Sequence, residues 1–237
     1  MARVPEDFTE AEYRALVRLA ADRYRFAWFH EQHEPPCSLW RHDLDFSVQR
    51  GLALARIEAE EGVQATYFLD PRSPFYNALE QANVDAMRAI LELGHELGLH
   101  YDPALGEVDD QLAADRELLE RTFGVQVRAF SVHNPELVGW ADERDTIAGM
   151  VSAYGPALRE RFSYVSDSNG IWRHRRLRDV LEAGHEQRLH VLTHPAWWVP
   201  APLAPRARIQ RCIDGRALAT ARAYDDVLER SGRPNVA

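Results

Sequence analysis

Histidine and aspartate recur at the ends of short apolar runs in this chain. Trp40-Arg41-His42-Asp43-Leu44-Asp45 closes one run, Gly98-Leu99-His100-Tyr101-Asp102 a second, and Phe130-Ser131-Val132-His133-Asn134 a third. Tyr164-Val165-Ser166-Asp167-Ser168-Asn169 and Val191-Leu192-Thr193-His194-Pro195 close two more. If the runs are parallel strands, their C-terminal ends share one face, where α/β folds bind ligands. Asp, His, His, Asp and His would then meet at one mouth. A carboxylate and two imidazoles with open coordination positions suit zinc or a harder first-row ion. Such an ion lowers the pKa of a water from ~16 towards ~7 and polarises a substrate carbonyl. A second carboxylate can accept the water's proton, and a histidine can protonate the leaving amine. Asp43 and Asp45 are two residues apart, so an extended backbone points them the same way, one to the ion and one beside its water.

Taken singly, each residue also has a structural role open to it. An aspartate after a strand often caps the next helix, and Asp45 has that option, with Ser47 as a rival cap. His95 begins its strand, belongs at the end away from the mouth, and reads as structural. His30, His33, His174, His185 and His190 fall in charged or loop contexts and read as surface residues.

The elements that would position these groups alternate. Residues 1–5 read as a loose tail. Phe8 to Tyr24 shows helical spacing of Tyr13, Leu16, Val17 and Ala20, with Thr9 and Glu12 forming a capping box. Strands are expected at 25–29, 37–41, 63–69, 95–100, 125–132, 162–165 and 189–193. Helices are expected at 48–61, 84–93, 111–123, 143–154, 177–183 and 206–230, several of them stopped by glycine. Alternation of this kind implies a parallel sheet, barrel or open. No linker or repeat divides the 237 residues, so a single domain over 1–237 is expected, with 1–35 as an N-terminal helical extension.

Composition narrows the function. The net charge is −9, and every basic residue other than histidine is arginine. An acidic chain without a basic stripe is a poor nucleic-acid binder, and the lack of lysine excludes Schiff-base chemistry and a P-loop. No apolar run approaches the ~18 residues of a membrane span, and the start lacks a basic-then-apolar signal pattern. The expectation is a soluble, cytoplasmic protein. Cys37 and Cys212 lie far apart and read as two reduced thiols.

Six strings in order resemble the NodB-type polysaccharide deacetylase superfamily, in a short branch associated with surface-glycan biosynthesis: RHDLDFS at 41–47, ATYFLDPRSPFYN at 65–77, GHELGLHYDP at 94–103, FSVHNP at 130–135, YVSDSNGIWR at 164–173 and VLTHPAWW at 191–198. The resemblance implies a distorted, seven-stranded (β/α) barrel and a metal-dependent hydrolase acting on linear amide C–N bonds. It implies removal of an acetyl or formyl group from an amino-sugar derivative, small or lipid-linked. By the same resemblance Asp43 is the general base, Asp45 and His100 are metal ligands, and His194 is the general acid. The segment Asp167 to Trp172 orients other groups and lines the groove. Where the wider family has a second histidine four residues after His100, this chain has Ala104. His133 is the first choice for the third ligand because its strand end lies beside that of His100; Asp102 and His194 come after it. The ion is expected to be zinc. Arg41, Tyr76, Asp167, Asn169, Trp172 and Trp197 are expected substrate-side residues. Two rivals stand beside this reading. One is a metal-free small-amide or ureide hydrolase on the same barrel, and the other a glycan-binding barrel without catalysis.

Overall fold

The computed structural model describes residues 5–103 and 108–235. Ala104 and the question of its neighbours lie outside the described residues, as do the first four residues of the expected tail.

Nine strands form one sheet: β1 (Arg25–Phe26), β2 (Cys37–Asp43), β3 (Thr66–Leu69), β4 (Glu96–Tyr101), β5 (Ala129–Val132), β6 (Thr146–Ile147), β7 (Met150–Ser152), β8 (Ser163–Ser166) and β9 (Arg188–Thr193). Their order is β6-β7-β5-β4-β3-β2-β9-β8, with β1 pairing parallel to the start of β2. The seven strands from β7 through β8 pair in parallel, as expected for a distorted barrel, and β6 adds an antiparallel edge. The curl is unclosed, because β7 and β8 do not pair.

The helices are α1 (Glu10–Ala21), α2 (Val48–Glu60), α3 (Gln81–Glu92), α4 (Val108–Phe123), α5 (Pro156–Arg161), α6 (Leu177–Ala183) and α7 (Pro205–Arg230). Thr9 caps α1 by accepting a hydrogen bond from the Glu12 amide at 3.1 Å, as the sequence signals. Ser47, not Asp45, caps α2, which leaves the Asp45 carboxylate free for other work. Gly184 ends α6 in the left-handed conformation.

One expected element is overturned. The helix expected over 143–154 is the β6–β7 hairpin. Its turn is Ala148-Gly149, with φ of 48° and 75°, the positive-φ pair that suits a two-residue hairpin turn. Helical spacing of apolar residues there was coincidental; Thr146, Ile147 and Val151 are β-branched and pair across the turn. A short helix, α5, follows where only loop was expected.

Strand period sorts the side chains into two layers. Cys37, Leu39, Phe68, Ala129 and Ala153 form an apolar plug with Phe29, Leu158 and Phe162. Trp40, Leu44, Tyr67, Leu69, Leu97, Leu99 and Phe130 pack with helix residues such as Leu16, Leu54, Ile90 and Leu119. Phe68 lies so close to β4 that a Cβ on Gly98 would meet its ring at 2.5 Å. Glu58 of α2, fully buried, ties the outer layer together: Tyr67 donates to it at 2.5 Å, His42 Nε2 lies 2.7 Å away, and Tyr13 also donates to it. His42 Nδ1 in turn lies 2.7 Å from Thr193 Oγ1, joining β2 to β9 one residue below the mouth on each strand. An ionised group here without partners would be prohibitive, so this network must form intact. α1 packs into the same core, where Tyr13, Leu16 and Val17 are buried.

Two histidines depart from the surface expectation. His33 is buried against Phe162, with rings 5.1 Å apart, and His190 is buried between Phe29 and Tyr164. Alternation along β9 explains His190, which falls on the same side as His194. His95 is structural as expected: its Nε2 faces the Ala55 carbonyl at 3.0 Å, and its Nδ1 accepts from the Ala65 amide.

Candidate functional site

Asp45, His100, Asp70, His133 and His194 follow one face of β2, β4, β3, β5 and β9, at or just past the strand ends. His100 and Ser131 are register partners, and Leu69 pairs with Leu99, so Asp70 falls beside His100.

Three donor atoms converge. Asp45 Oδ1 lies 3.1 Å from His100 Nε2 and 3.7 Å from His133 Nδ1, and the two ring nitrogens are 3.1 Å apart. Ligands at zinc bond lengths of ~2.0–2.1 Å in a tetrahedron stand about 3.3 Å from one another, so this triangle matches one face of such a polyhedron. Asp45 Oδ1 is buried and has no hydrogen-bond partner, although it is surrounded by nitrogen atoms. Lone pairs crowded in this way call for a shared cation. Among the described residues, Asp45, His100 and His133 are the cluster able to hold one, and the residues fit that role.

The charges agree. Burial alone would raise the Asp45 carboxyl, but His194, His100 and His133 hold it well below the usual carboxylate range. Contact with Asp45 raises His133, outweighing the burial of its ring.

His194 stands on the other side of Asp45, with its Nε2 3.8 Å from Asp45 Oδ2. Its Nδ1 lies 2.6 Å from Asp167 Oδ1. Asp167 is fully buried, accepts from the His194 amide and takes the Trp198 indole N–H at 2.9 Å. Burial disfavours the protonated ring, yet Asp167 and Asp45 outweigh it and lift His194 to about 9.

Asp43 lies deeper, 2% exposed. Arg41 Nη2 donates to its Oδ2 at 3.2 Å, Ser131 Oγ donates to its Oδ1 at 3.3 Å, and its Oδ2 is 3.6 Å from His100 Nδ1. Arg41 is fully buried and also donates to the Tyr154 hydroxyl at 2.6 Å. Its guanidinium therefore holds Asp43 from within the barrel as a buried ion pair.

The other substrate-side residues divide. Tyr76 is buried and its hydroxyl accepts from the Asp70 amide at 3.1 Å, fixing that turn. Trp172 is buried and stacks on Phe8 at 5.6 Å, a packing role. Trp197 lies against Gly170, where a Cβ would meet its ring at 2.8 Å, and its ring is 6.0 Å from Phe46. Asn169 takes a φ of 58° in the Ser168–Gly170 turn after β8.

Asp70 was missed by sequence reasoning. It shares the inward face of Phe68, is almost fully buried, and uses Oδ1 to accept from the Arg72 amide at 2.7 Å. Burial raises its carboxyl against the pull of that amide and of His100 and His133. The signal was a second aspartate at a strand end inside ATYFLDPRS, which reads as the opening of a turn.

The fold and site together define a class: an unclosed α/β barrel with a His₂Asp cluster at its mouth and a buried Asp–His pair beside it. No family model and no curated protein matches the sequence. Among solved structures the chain is similar to BA3943, a CE4 family pseudoenzyme from Bacillus anthracis, at 16% identity over 79% of this chain and 63% of that chain, with a TM-score of 0.45. It is similar to a mutant of BA3943 with restored enzymatic activity, at 17% identity over 80% of this chain and 65% of that chain, TM-score 0.47. It is also similar to a mutant of peptidoglycan deacetylase PdaC from Bacillus subtilis, at 12% identity over 84% of this chain and 98% of that chain, TM-score 0.44. The chain thus spans less than two thirds of the length of the two BA3943 structures.

Proposed function

We propose that this chain is a metal-dependent hydrolase that removes an acetyl or formyl group from the nitrogen of an amino-sugar derivative in surface-glycan biosynthesis. The observation that carries the reading is the triangle of Asp45 Oδ1, His100 Nε2 and His133 Nδ1. These three would hold the ion, and a donor set of two imidazoles and a carboxylate favours zinc. When bound, such an ion polarises an amide carbonyl and makes water nucleophilic near neutral pH.

The remaining steps belong to side chains. Asp43 accepts a proton from the attacking water, with Arg41 and Ser131 fixing its carboxylate. His194 donates a proton to the departing nitrogen, so the amide C–N bond breaks to give a carboxylate and a free amine. Asp167 keeps His194 protonated and turned so that Nε2 faces the cluster. Asp167 accepts hydrogen bonds from the His194 ring, the His194 amide and the Trp198 indole, which fixes the carboxylate and so the ring.

The test is elemental analysis of protein purified without chelators, alongside Asp45→Ala and His133→Ala, with turnover of N-acetyl and N-formyl amino sugars. About one ion per chain in the parent, lost in both variants together with amide hydrolysis, is expected. Stoichiometric metal retained by either variant would remove that residue from the ligand set.

A further inference from the structure

A groove of about 340 Å³ opens between α7 and the loops that follow β2 and β3. Phe46, which follows Asp45 in the chain, lines the groove with Phe75, the two rings 4.5 Å apart. The opposite wall is α7, which turns Cys212, Gly215 and Ala219 to the groove. These positions, i, i+3 and i+7, lie on one helical face. A Cβ at Gly215 would meet nothing within 4 Å, so the missing side chain is not forced by packing. Glycine is a poor residue for a helix interior, and here its effect is to keep the groove wide.

The lining is basic, and one of its cations, Arg211, has no acidic partner among the described residues. The chain carries −9, yet the lining holds Arg50, Arg211 and Arg216 against one carboxylate, Glu80. Arg216 pairs with Glu80, and Arg50 Nη2 pairs with Glu10 at 2.7 Å. The Arg50 Nε is buried without a hydrogen-bond partner. Arg211 is exposed and forms no hydrogen bond or ion pair among the described residues. Guanidinium groups beside two aromatic rings suit a phosphate ester with an apolar or aromatic substituent.

We propose that this groove binds the phosphate-bearing arm of the substrate, a diphosphate joined to the amino sugar, with its organic substituent on Phe46 and Phe75. The proposal rests on the amide-hydrolase reading for what occupies the mouth, but the groove stands or falls by binding alone. A nucleoside diphosphate and a lipid diphosphate share the required chemistry.

The experiment is calorimetric titration of the metal-loaded protein with inorganic pyrophosphate, uridine diphosphate and geranyl diphosphate, repeated on Gly215→Leu and Arg211→Glu. Leucine strengthens the helix while filling the groove, so that variant folds. One organic diphosphate is expected to bind more tightly than pyrophosphate, and each variant to weaken it at least about tenfold. Metal content and hydrolysis of a phosphate-free N-acyl amino sugar should stay unchanged in both. A preference for the uridine compound assigns a nucleotide-linked substrate, and a preference for the geranyl compound a lipid-linked one. Failure of all three to bind would overturn the proposal. So would undiminished binding by Gly215→Leu, which would place the diphosphate at the metal centre. If diphosphate binds in the groove but no amide is cleaved, the hydrolase reading falls and the groove remains.

Discussion

Ser131 Oγ stands 2.7 Å from His100 Nδ1, at paired register across β4 and β5. Because the serine hydroxyl donates to Asp43, its oxygen accepts from the ring, which places the His100 proton on Nδ1 and the free lone pair on Nε2, towards Asp45. A hydrogen bond of this kind fixes the tautomer and direction of a metal-binding histidine. Ser131→Ala should therefore cost about 10–100-fold in metal affinity. Competition with a chromophoric chelator measures it, and unaltered affinity would show that the ring is held without the serine.

Two carboxylates border the cluster, and they are separable by substitution. Asp43→Asn should leave the metal in place and lower turnover by roughly a hundredfold or more, the usual scale for loss of a general base. Asp70→Asn should cost less, about tenfold, because the proposed mechanism gives the proton-accepting role to Asp43 and leaves Asp70 to fix the turn through the Arg72 amide. Steady-state kinetics with metal content measured on the same samples decides between them. A larger loss in Asp70→Asn would transfer the proton-accepting role to Asp70.

The sequence made this site legible because strand ends carry their own punctuation. Asp45, His100, His133, Asp167 and His194 each follow a run of β-formers, and parallel alternation forces their ends together. Asp70 escaped because Asp-Pro after a strand also reads as a plain turn. The β6–β7 hairpin escaped for a different reason: strands of two and three residues are too short for a period to show, and tertiary pairing with β5 decides their state. His190 shows what periodicity cannot reveal, since a histidine in a strand reads as solvent-facing until the interior of the barrel is known to be polar; Arg41, expected on the substrate side, is likewise buried, against Asp43 and Tyr154. The arginine–aromatic groove is likewise a meeting of distant segments, with no local signature.

His194 sets a pH dependence. Its pKa is lifted to about 9 by Asp167 and Asp45 against the effect of burial, compared with about 6.5 in an unfolded chain. In the metal-free protein its charge therefore stabilises the fold fully below about pH 6.5, and this contribution is lost as pH rises through about 9. In the metal-loaded enzyme a cation on Asp45 offsets part of that lift, so activity that needs the protonated ring falls along an alkaline limb below about 9. Asp167→Asn removes the largest upward influence, so the limb should move to lower pH by about one unit or more. Rate–pH profiles of the two proteins test this, and coincident alkaline limbs would exclude His194 as the proton donor.

Glu96 makes the opposite end of the barrel pH-sensitive. Its carboxyl is mostly buried, His30 Nδ1 is 3.3 Å from Oε1, and Oε2 is buried without a partner. Burial raises it to about 7, Arg128 at 4.0 Å pulls it down only in part, and Glu31 adds to the rise. The folded protein thus holds a proton that the unfolded chain releases near pH 4.5, so stability declines as pH rises from there through about 7. Burial lowers His30 as well, so that ring does not supply a lasting counter-charge near neutrality. Glu96→Gln keeps the shape and removes the ionisation. The variant should match the parent near pH 4.5 and exceed it above pH 7, by at most about 3 kcal/mol for a shift of this size. Urea denaturation at pH 5 and pH 8 gives the comparison. A gap between variant and parent that is the same at both pH values would mean that Glu96 does not ionise on its own in the folded barrel.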